Sequence, residues 1–159
     1  MIGPMYSSEA ESALTAATRR SILLVSPSVA SHRFSGKDDA LVRVIGSNLD
    51  EADTLSSFLL QRGIAKPVLV WTRLNEAYLR PMVDRICSSY VRRNLPRPAT
   101  LDYSSSLDLE FDSVVASHGN ADAFVSLGTP MEAALLARAV RRSGSRALLV
   151  GCQSSVGKD

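Results

Sequence analysis

The residues best suited to binding chemistry in this 159-residue sequence are hydroxyl side chains at predicted loop positions. They stand near helix starts and strand ends, and they comprise Ser7, Ser28, Ser31, Thr72, Tyr78 and Thr129. Hydroxyl and backbone N–H donors that converge at a helix N-terminus can bind a carboxylate, because the helix dipole is positive there. Each residue is equally suited to capping a helix or rounding a turn. The pattern is thus compatible with ligand binding and with a purely local structural role.

Sequence motifs for catalysis, metal binding and cofactor binding are missing. The strand-to-helix loops contain neither Gly-x-Gly-x-x-Gly nor a phosphate loop, and no Gly-x-Ser-x-Gly elbow occurs. His32 and His118 lack the spacing of metal ligands, and Cys87 and Cys152 lack that of a zinc site or a disulfide framework. We therefore predict no catalytic residue, no metal and no cofactor.

Composition and charge favour a single globular unit without affinity for nucleic acid. The chain is 45% hydrophobic, enough for one sizeable core, and its net charge of +2 arises from interspersed acidic and basic residues. No basic block is long enough to form a nucleic-acid footprint. No apolar run approaches the roughly 20 residues of a membrane span, and the first residues lack the regions of a signal peptide.

Short apolar runs alternate with amphipathic segments along most of the chain. The predicted strands are 22–25, 40–45, 68–71, 99–103, 123–127 and 147–150, and the predicted helices are 7–20, 50–62, 75–93, 109–118 and 130–143. Ser7 or Ser8 is the expected cap of the first helix. Pro81 suggests that the third helix begins near Leu79. This alternation predicts an α/β fold with a doubly wound parallel sheet.

In such a sheet, ligands bind beyond the carboxyl ends of the strands. We therefore expect the loops after Trp71, Tyr103, Leu127 and Val150 to line any binding site.

Four short motifs follow one another along the chain: Ile2 to Ser8, Ile22 to Ser28, Phe34 to Asp39, and Asn75 to Tyr78. Their order resembles that of the type I periplasmic solute-binding proteins, which bind branched-chain amino acids and related solutes. Ile2-Gly3-Pro4-Met5-Tyr6-Ser7-Ser8 is similar to the Ile-Gly-Pro-x-x-Ser-Ser turn of that family. The run from Ile22 to Ser28 resembles its strand ending in Ser-Pro-Ser, and Phe34 to Asp39 resembles the link into its second lobe. Asn75-Glu76-Ala77-Tyr78 is similar to its Asn-x-Ala-Tyr-Gly loop. The resemblance implies a flavodoxin-like lobe within an incomplete two-lobe architecture.

The resemblance also implies a carboxylate site in the first lobe. The serine at the helix start and the residues after Ser-Pro bind the ligand's carboxylate in the family, which assigns this role to Ser7, Ser28 and position 30. Position 30 is Ala30, which has no hydroxyl, and Ser31 is the neighbouring residue that could replace it.

From the second lobe, the family's loop tyrosine lines the ligand, which corresponds to Tyr78. Gln153 stands near the position where amino-acid binders place a glutamate for the ligand's ammonium group. A neutral amide cannot supply the same charge-assisted bond, so a standard α-amino acid is disfavoured.

These features lead to expectations for organisation and function. Residues 1–39 are expected to be a remnant of the first lobe with its crossover, and residues 40–159 to form the second lobe. The expected function is non-enzymatic binding of a small polar solute, an amino acid or related carboxylate, for an ABC-type transporter permease or a sensor. Location in the periplasm and a homodimer formed through the exposed remnant follow from the resemblance. The alternative is a ligand-sensing or dimerisation module of a receptor.

Overall fold

Two parallel sheets and the helices around them make up the structure. The computed structural model describes residues 2–4, 6–105 and 110–155. Its strands are β1 (Leu24–Ser26), β2 (Leu41–Arg43), β3 (Pro67–Thr72), β4 (Ala99–Tyr103), β5 (Ala123–Leu127) and β6 (Leu148–Gly151). Its helices are α1 (Ala10–Thr18), α2 (Asn48–Gln61), α3 (Glu76–Val91), α4 (Phe111–Ser117) and α5 (Pro130–Arg142). Each predicted strand and helix has a counterpart whose ends lie within three residues of the predicted ends. Leu109, the predicted first residue of the fourth helix, lies outside the described residues.

The larger sheet has four strands in the order β4-β3-β5-β6, and all neighbouring pairs are parallel. Strands β3 and β5 are buried along their whole length, as expected of central strands that are covered on both faces. Leu69 faces the core formed with α2 and α3, whereas Val68 and Val70 face the core formed with α4 and α5. This arrangement confirms the doubly wound α/β prediction.

The smaller sheet consists of β1 and β2, with Ile2 forming a parallel bridge to Val25 on the far side of β1. Helix α1 covers one face of it, where Leu41 packs against the cluster of Ala10, Val29 and Phe34. Cross-strand partners project to the same face of a sheet, and successive residues to opposite faces.

The other face of the smaller sheet is apolar and uncovered by the described residues. We call it the open face; its side chains are Ile2, Leu23, Val25, Val42 and Val44. Ile2 is 83% exposed and Val44 is 69% exposed. Parallel sheets are almost always covered on both faces, so this surface is unusual for a parallel sheet.

The crossover between the sheets packs tightly against the larger one. Ala30 is buried in the core of α2 and α3, and its carbonyl accepts a 2.7 Å hydrogen bond from the Asn48 backbone.

Strand β2 pairs with β1, so residues 41–43 belong to the same sheet as the preceding segment. The division into residues 1–39 and 40–159 stays a prediction.

Helix α3 begins at Glu76 and contains Pro81, so the expectation of a start near Leu79 is wrong. A proline has no N–H to donate to the carbonyl four residues back, which here belongs to Ala77. That carbonyl instead accepts a 3.2 Å hydrogen bond from Ser31 Oγ. The crossover segment therefore supplies a donor that the helix lacks.

Candidate functional site

A cavity of about 530 Å³ lies where the residues preceding α1 meet the carboxyl ends of β3 and β5. Its lining combines hydroxyl, amide, carboxylate and apolar side chains, contributed by Tyr6, Ser8, Glu9, Thr72, Leu74, Asn75, Leu79, Gly128, Thr129 and Pro130. The chain leaves β3 toward β4 on one side and leaves β5 toward β6 on the other. The cavity thus occupies the topological switch point of the sheet, where ligands of open α/β folds bind.

Two of the four loops predicted to line a site border this cavity, namely those after β3 and β5. In the first loop, the Thr72 side-chain oxygen accepts a 3.2 Å bond from the Leu74 backbone N–H. The Thr72 hydroxyl proton is not used in that bond, so the group can donate to a ligand. The loop after β4 lies partly outside the described residues, and the segment after β6 is absent from the lining.

Thr129 caps α5 through a capping box with Glu132. The Thr129 backbone N–H and hydroxyl both donate to one Glu132 carboxylate oxygen, at 2.7 and 2.9 Å, and Thr129 Oγ1 accepts from the Glu132 N–H at 3.4 Å. Pro130 has no N–H. Most of the donors that a helix N-terminus offers to an anion are therefore absent or already used at this end of α5.

The Glu132 carboxylate is buried immediately behind the cavity wall, with the residue 4% exposed. Tyr103 forms a hydrogen bond with it, and burial together with this carboxylate raises the pKa of the Tyr103 hydroxyl above its ordinary value. A Cβ at Gly128 would lie 2.6 Å from the carboxylate oxygen and 2.7 Å from the Tyr103 hydroxyl. The wall at this point therefore has no room for a side chain, which explains a glycine there.

The opposite wall comes from the turn before α1. Helix α1 begins at Ala10 without a side-chain cap, so the expected capping by Ser7 or Ser8 is not observed. The Ser7 hydroxyl is engaged elsewhere because its oxygen accepts a 3.2 Å bond from the Ser31 N–H. Ser8 and Glu9 remain exposed and line the cavity.

The predicted carboxylate-binding residues of the first lobe lie at the junction between the sheets and are absent from the cavity lining. Ser7 and Ser31 are buried and bonded to each other as described, and Ser31 Oγ donates to Ala77. Ser28 is half-buried, and its hydroxyl lies 3.5 Å from the Pro4 carbonyl oxygen to which it donates. Ala30 is enclosed in the core. Their roles in ligand binding stay predictions.

Tyr78 and Gln153 both contact Glu51 rather than the cavity. The Tyr78 hydroxyl donates to one Glu51 carboxylate oxygen, and the Gln153 backbone N–H donates to the other at 2.6 Å. Burial, followed by the Glu51 carboxylate, raises the pKa of the Tyr78 hydroxyl above its ordinary value. This arrangement joins α2, α3 and the segment after β6. Of the seven residues predicted as ligand contacts, Thr129 is the one that lines the cavity.

The sequence reading missed most of the lining. Leu74 and Asn75 fall in the 3₁₀ turn between β3 and α3, and Gly128 directly follows β5; their position after predicted strands could have identified them. Asn75 Oδ1 is buried and accepts no hydrogen bond from the described residues.

Some kinds of site are not found in the described part of the chain. No cluster of three or more His, Cys, Asp or Glu side chains there could hold a metal ion. None of the helices in residues 2–4, 6–105 and 110–155 is long and apolar enough to cross a membrane. Cys87 and Cys152 are both buried and form no disulfide.

Comparison with solved structures identifies the fold as that of a periplasmic binding protein lobe. The structure is similar to a leucine-binding protein, LivK, from Thermotoga maritima, with a TM-score of 0.82 and 17% identity over 97% of this chain. The match covers 44% of that protein, so this chain spans less than half its length. No family model and no curated protein matches the sequence.

Proposed function

We propose that this chain is a non-enzymatic module that binds a small polar solute in the cavity at the carboxyl ends of β3 and β5. The observation that carries the proposal is the cavity itself. Its volume of about 530 Å³ is within the range of sites that enclose small molecules. Its position at the switch point is the one that open α/β sheets use for ligands.

The chemistry of the lining is suited to holding a small solute. Thr72 and Ser8 offer hydroxyls that can orient a ligand, while Leu74, Leu79 and Pro130 offer apolar contact. Polar groups that orient a ligand, set among apolar contacts, are typical of recognition sites.

The similarity to a leucine-binding protein supports solute recognition as the general role. We propose that the chain serves an ABC-type transporter permease or a sensor, and that it acts outside the cytoplasm.

A thermal-shift screen against small amines, alcohols, amino acids and carboxylates tests this proposal, because a ligand that binds only the folded state raises the Tm. Ser8→Trp places a large side chain in the cavity mouth from an exposed position. Ala16→Trp is the matched control, since Ala16 is exposed on α1, the helix that follows Ser8, and is absent from the lining. Hits should disappear in the first variant and persist in the second. A screen without hits, or hits that survive Ser8→Trp, would contradict the proposal.

The open face favours a second candidate function, that of a dimerisation module. None of its five side chains is charged, so two copies can pack face to face without like-charge repulsion. Contiguous exposed apolar surface of this kind commonly marks an interaction site. We propose a second copy of the chain as the partner. Light scattering should give a dimer that Val42→Lys converts to a monomer, whereas Thr18→Lys on exposed α1 should leave it intact. A monomeric wild type would refute this role.

A further inference from the structure

The cavity between α1 and the larger sheet has an unusual charge character for a site expected to hold a carboxylate. The described lining residues include one charged side chain, Glu9, and no arginine, lysine or histidine. A second carboxylate, Glu132, is buried just behind Gly128. A bound carboxylate would therefore meet two negative charges and no positive side chain in this part of the wall.

Several backbone donors at the two helix ends beside the cavity are already used. At α5, the Thr129 and Glu132 N–H groups are used within the capping box and Pro130 has none. At α1, the Glu9 N–H donates to the Tyr6 carbonyl at 3.1 Å, and the Ala10 N–H donates to the Ser7 carbonyl at 3.4 Å. These N–H groups are thus occupied by protein acceptors, and each helix end carries a glutamate, Glu9 or Glu132, that offsets its dipole.

The arginines of the adjoining segment are also engaged. Arg73 follows β3 and pairs with Asp102. Arg80 on α3 lies 3.7 Å from Glu76 and 3.5 Å from Asp84, between two carboxylates. Neither side chain is part of the lining.

The groups that face the cavity are instead suited to a ligand that donates hydrogen bonds. Glu9 is acceptor-only when ionised, and it is the one charged side chain among the described lining residues. Leu74, Leu79 and Pro130 provide apolar contact in the same lining. Such a wall matches a short apolar chain that ends in a protonated amine.

Building on the proposed function, we infer that the solute held here is a small organic cation, an amine with an aliphatic portion and no free carboxylate. The ammonium group is placed against Glu9, and the aliphatic portion against Leu74, Leu79 and Pro130. Glu9 is exposed, so its contribution to affinity is moderate and depends on salt concentration.

Two probes with the same branched skeleton and opposite charge test this inference, 3-methylbutylamine and 3-methylbutanoate. Calorimetric titration of the full chain at pH 7.5 and low salt should give a Kd at least about tenfold lower for 3-methylbutylamine than for 3-methylbutanoate. The Glu9 carboxylate attracts the ammonium group of the first probe and repels the carboxylate of the second. Glu9→Gln should weaken amine binding about three- to tenfold. Glu11→Gln should leave it unchanged, because Glu11 is paired with Arg33 and is absent from the lining.

Each other outcome has a defined meaning. Equal or tighter binding of the carboxylate, abolished by Ser8→Trp, would overturn the inference while leaving solute binding in this cavity intact. Amine binding that is indifferent to Glu9→Gln would also overturn it. Binding of neither probe, together with no hit in the thermal screen, would overturn the inference and the proposed function together.

Discussion

Replacing Ser31 by alanine tests how the two sheets are held together. The Ser31 hydroxyl donates to the Ala77 carbonyl at 3.2 Å, and Pro81 has no N–H with which helix α3 could serve that oxygen. Ser31→Ala therefore leaves a partly buried acceptor without this donor, at a cost of about 1–2 kcal/mol. For a chain of this length, the Tm should fall by about 3–7 °C.

The decisive comparison uses Pro81→Ala as a second background. Alanine at position 81 restores an N–H that can donate to the Ala77 carbonyl, so Ser31→Ala should cost about 1 kcal/mol less there than in the wild type. Urea unfolding of the four proteins measures this coupling. Ser88→Ala is the control; its exposed hydroxyl bonds within α3, and its loss should change stability by about 0.5 kcal/mol or less. Equal costs of Ser31→Ala in both backgrounds would refute the reasoning.

Three further predictions concern the cavity wall and the core. Thr129→Ala removes the cap of α5 and should cost about 1 kcal/mol in urea unfolding, while Thr129→Ser should recover most of it; equal losses would contradict the capping role. Gly128→Ala forces a Cβ against the Glu132 carboxylate and the Tyr103 hydroxyl, so we expect a loss of about 1–3 kcal/mol, and an unchanged Tm would contradict it. Burial raises the pKa of Tyr90 to about 12, whereas the unfolded chain loses this proton near pH 10. The folded state thus keeps a proton that the unfolded state has lost, and stability should fall as pH rises from about 10 toward 12. The urea midpoint should drop less between pH 9 and pH 11 in Tyr90→Phe; an equal drop would contradict this assignment.

The fold could be predicted because its signals are local. Apolar runs of strand length, such as Val68 to Trp71, alternate with segments of helical periodicity, and the chain between them is short. These local patterns do not predict that β2 pairs with β1, because a three-residue strand with one apolar face fits either sheet. Helix α3 starts at Glu76 despite Pro81, and the Ala77 carbonyl accepts its hydrogen bond from Ser31, which is 46 residues away in sequence.

The candidate site was harder to predict because it depends on contacts between residues that are distant in sequence. Ser7, Ser31 and Tyr78 are polar residues near helix ends, and the sequence does not distinguish a hydroxyl that faces a ligand from one that bonds a distant backbone group. The structure places these three in junction contacts and places Thr72 and Thr129 at the cavity. Leu74 and Pro130 carry no chemical signal of binding, and their position just after predicted strands is the one sequence feature that marks them as lining.

The most direct test of the proposed solute site is a two-dimensional ¹H–¹⁵N NMR titration of the labelled chain with the strongest compound from the thermal screen. We expect the amide signals of Ser8, Thr72, Asn75, Gly128 and Thr129 to shift together and to saturate with a single Kd. Shifts concentrated instead at Ser28, Tyr78 and Gln153, or no saturable shift at any amide, would contradict the assignment of the ligand to this cavity.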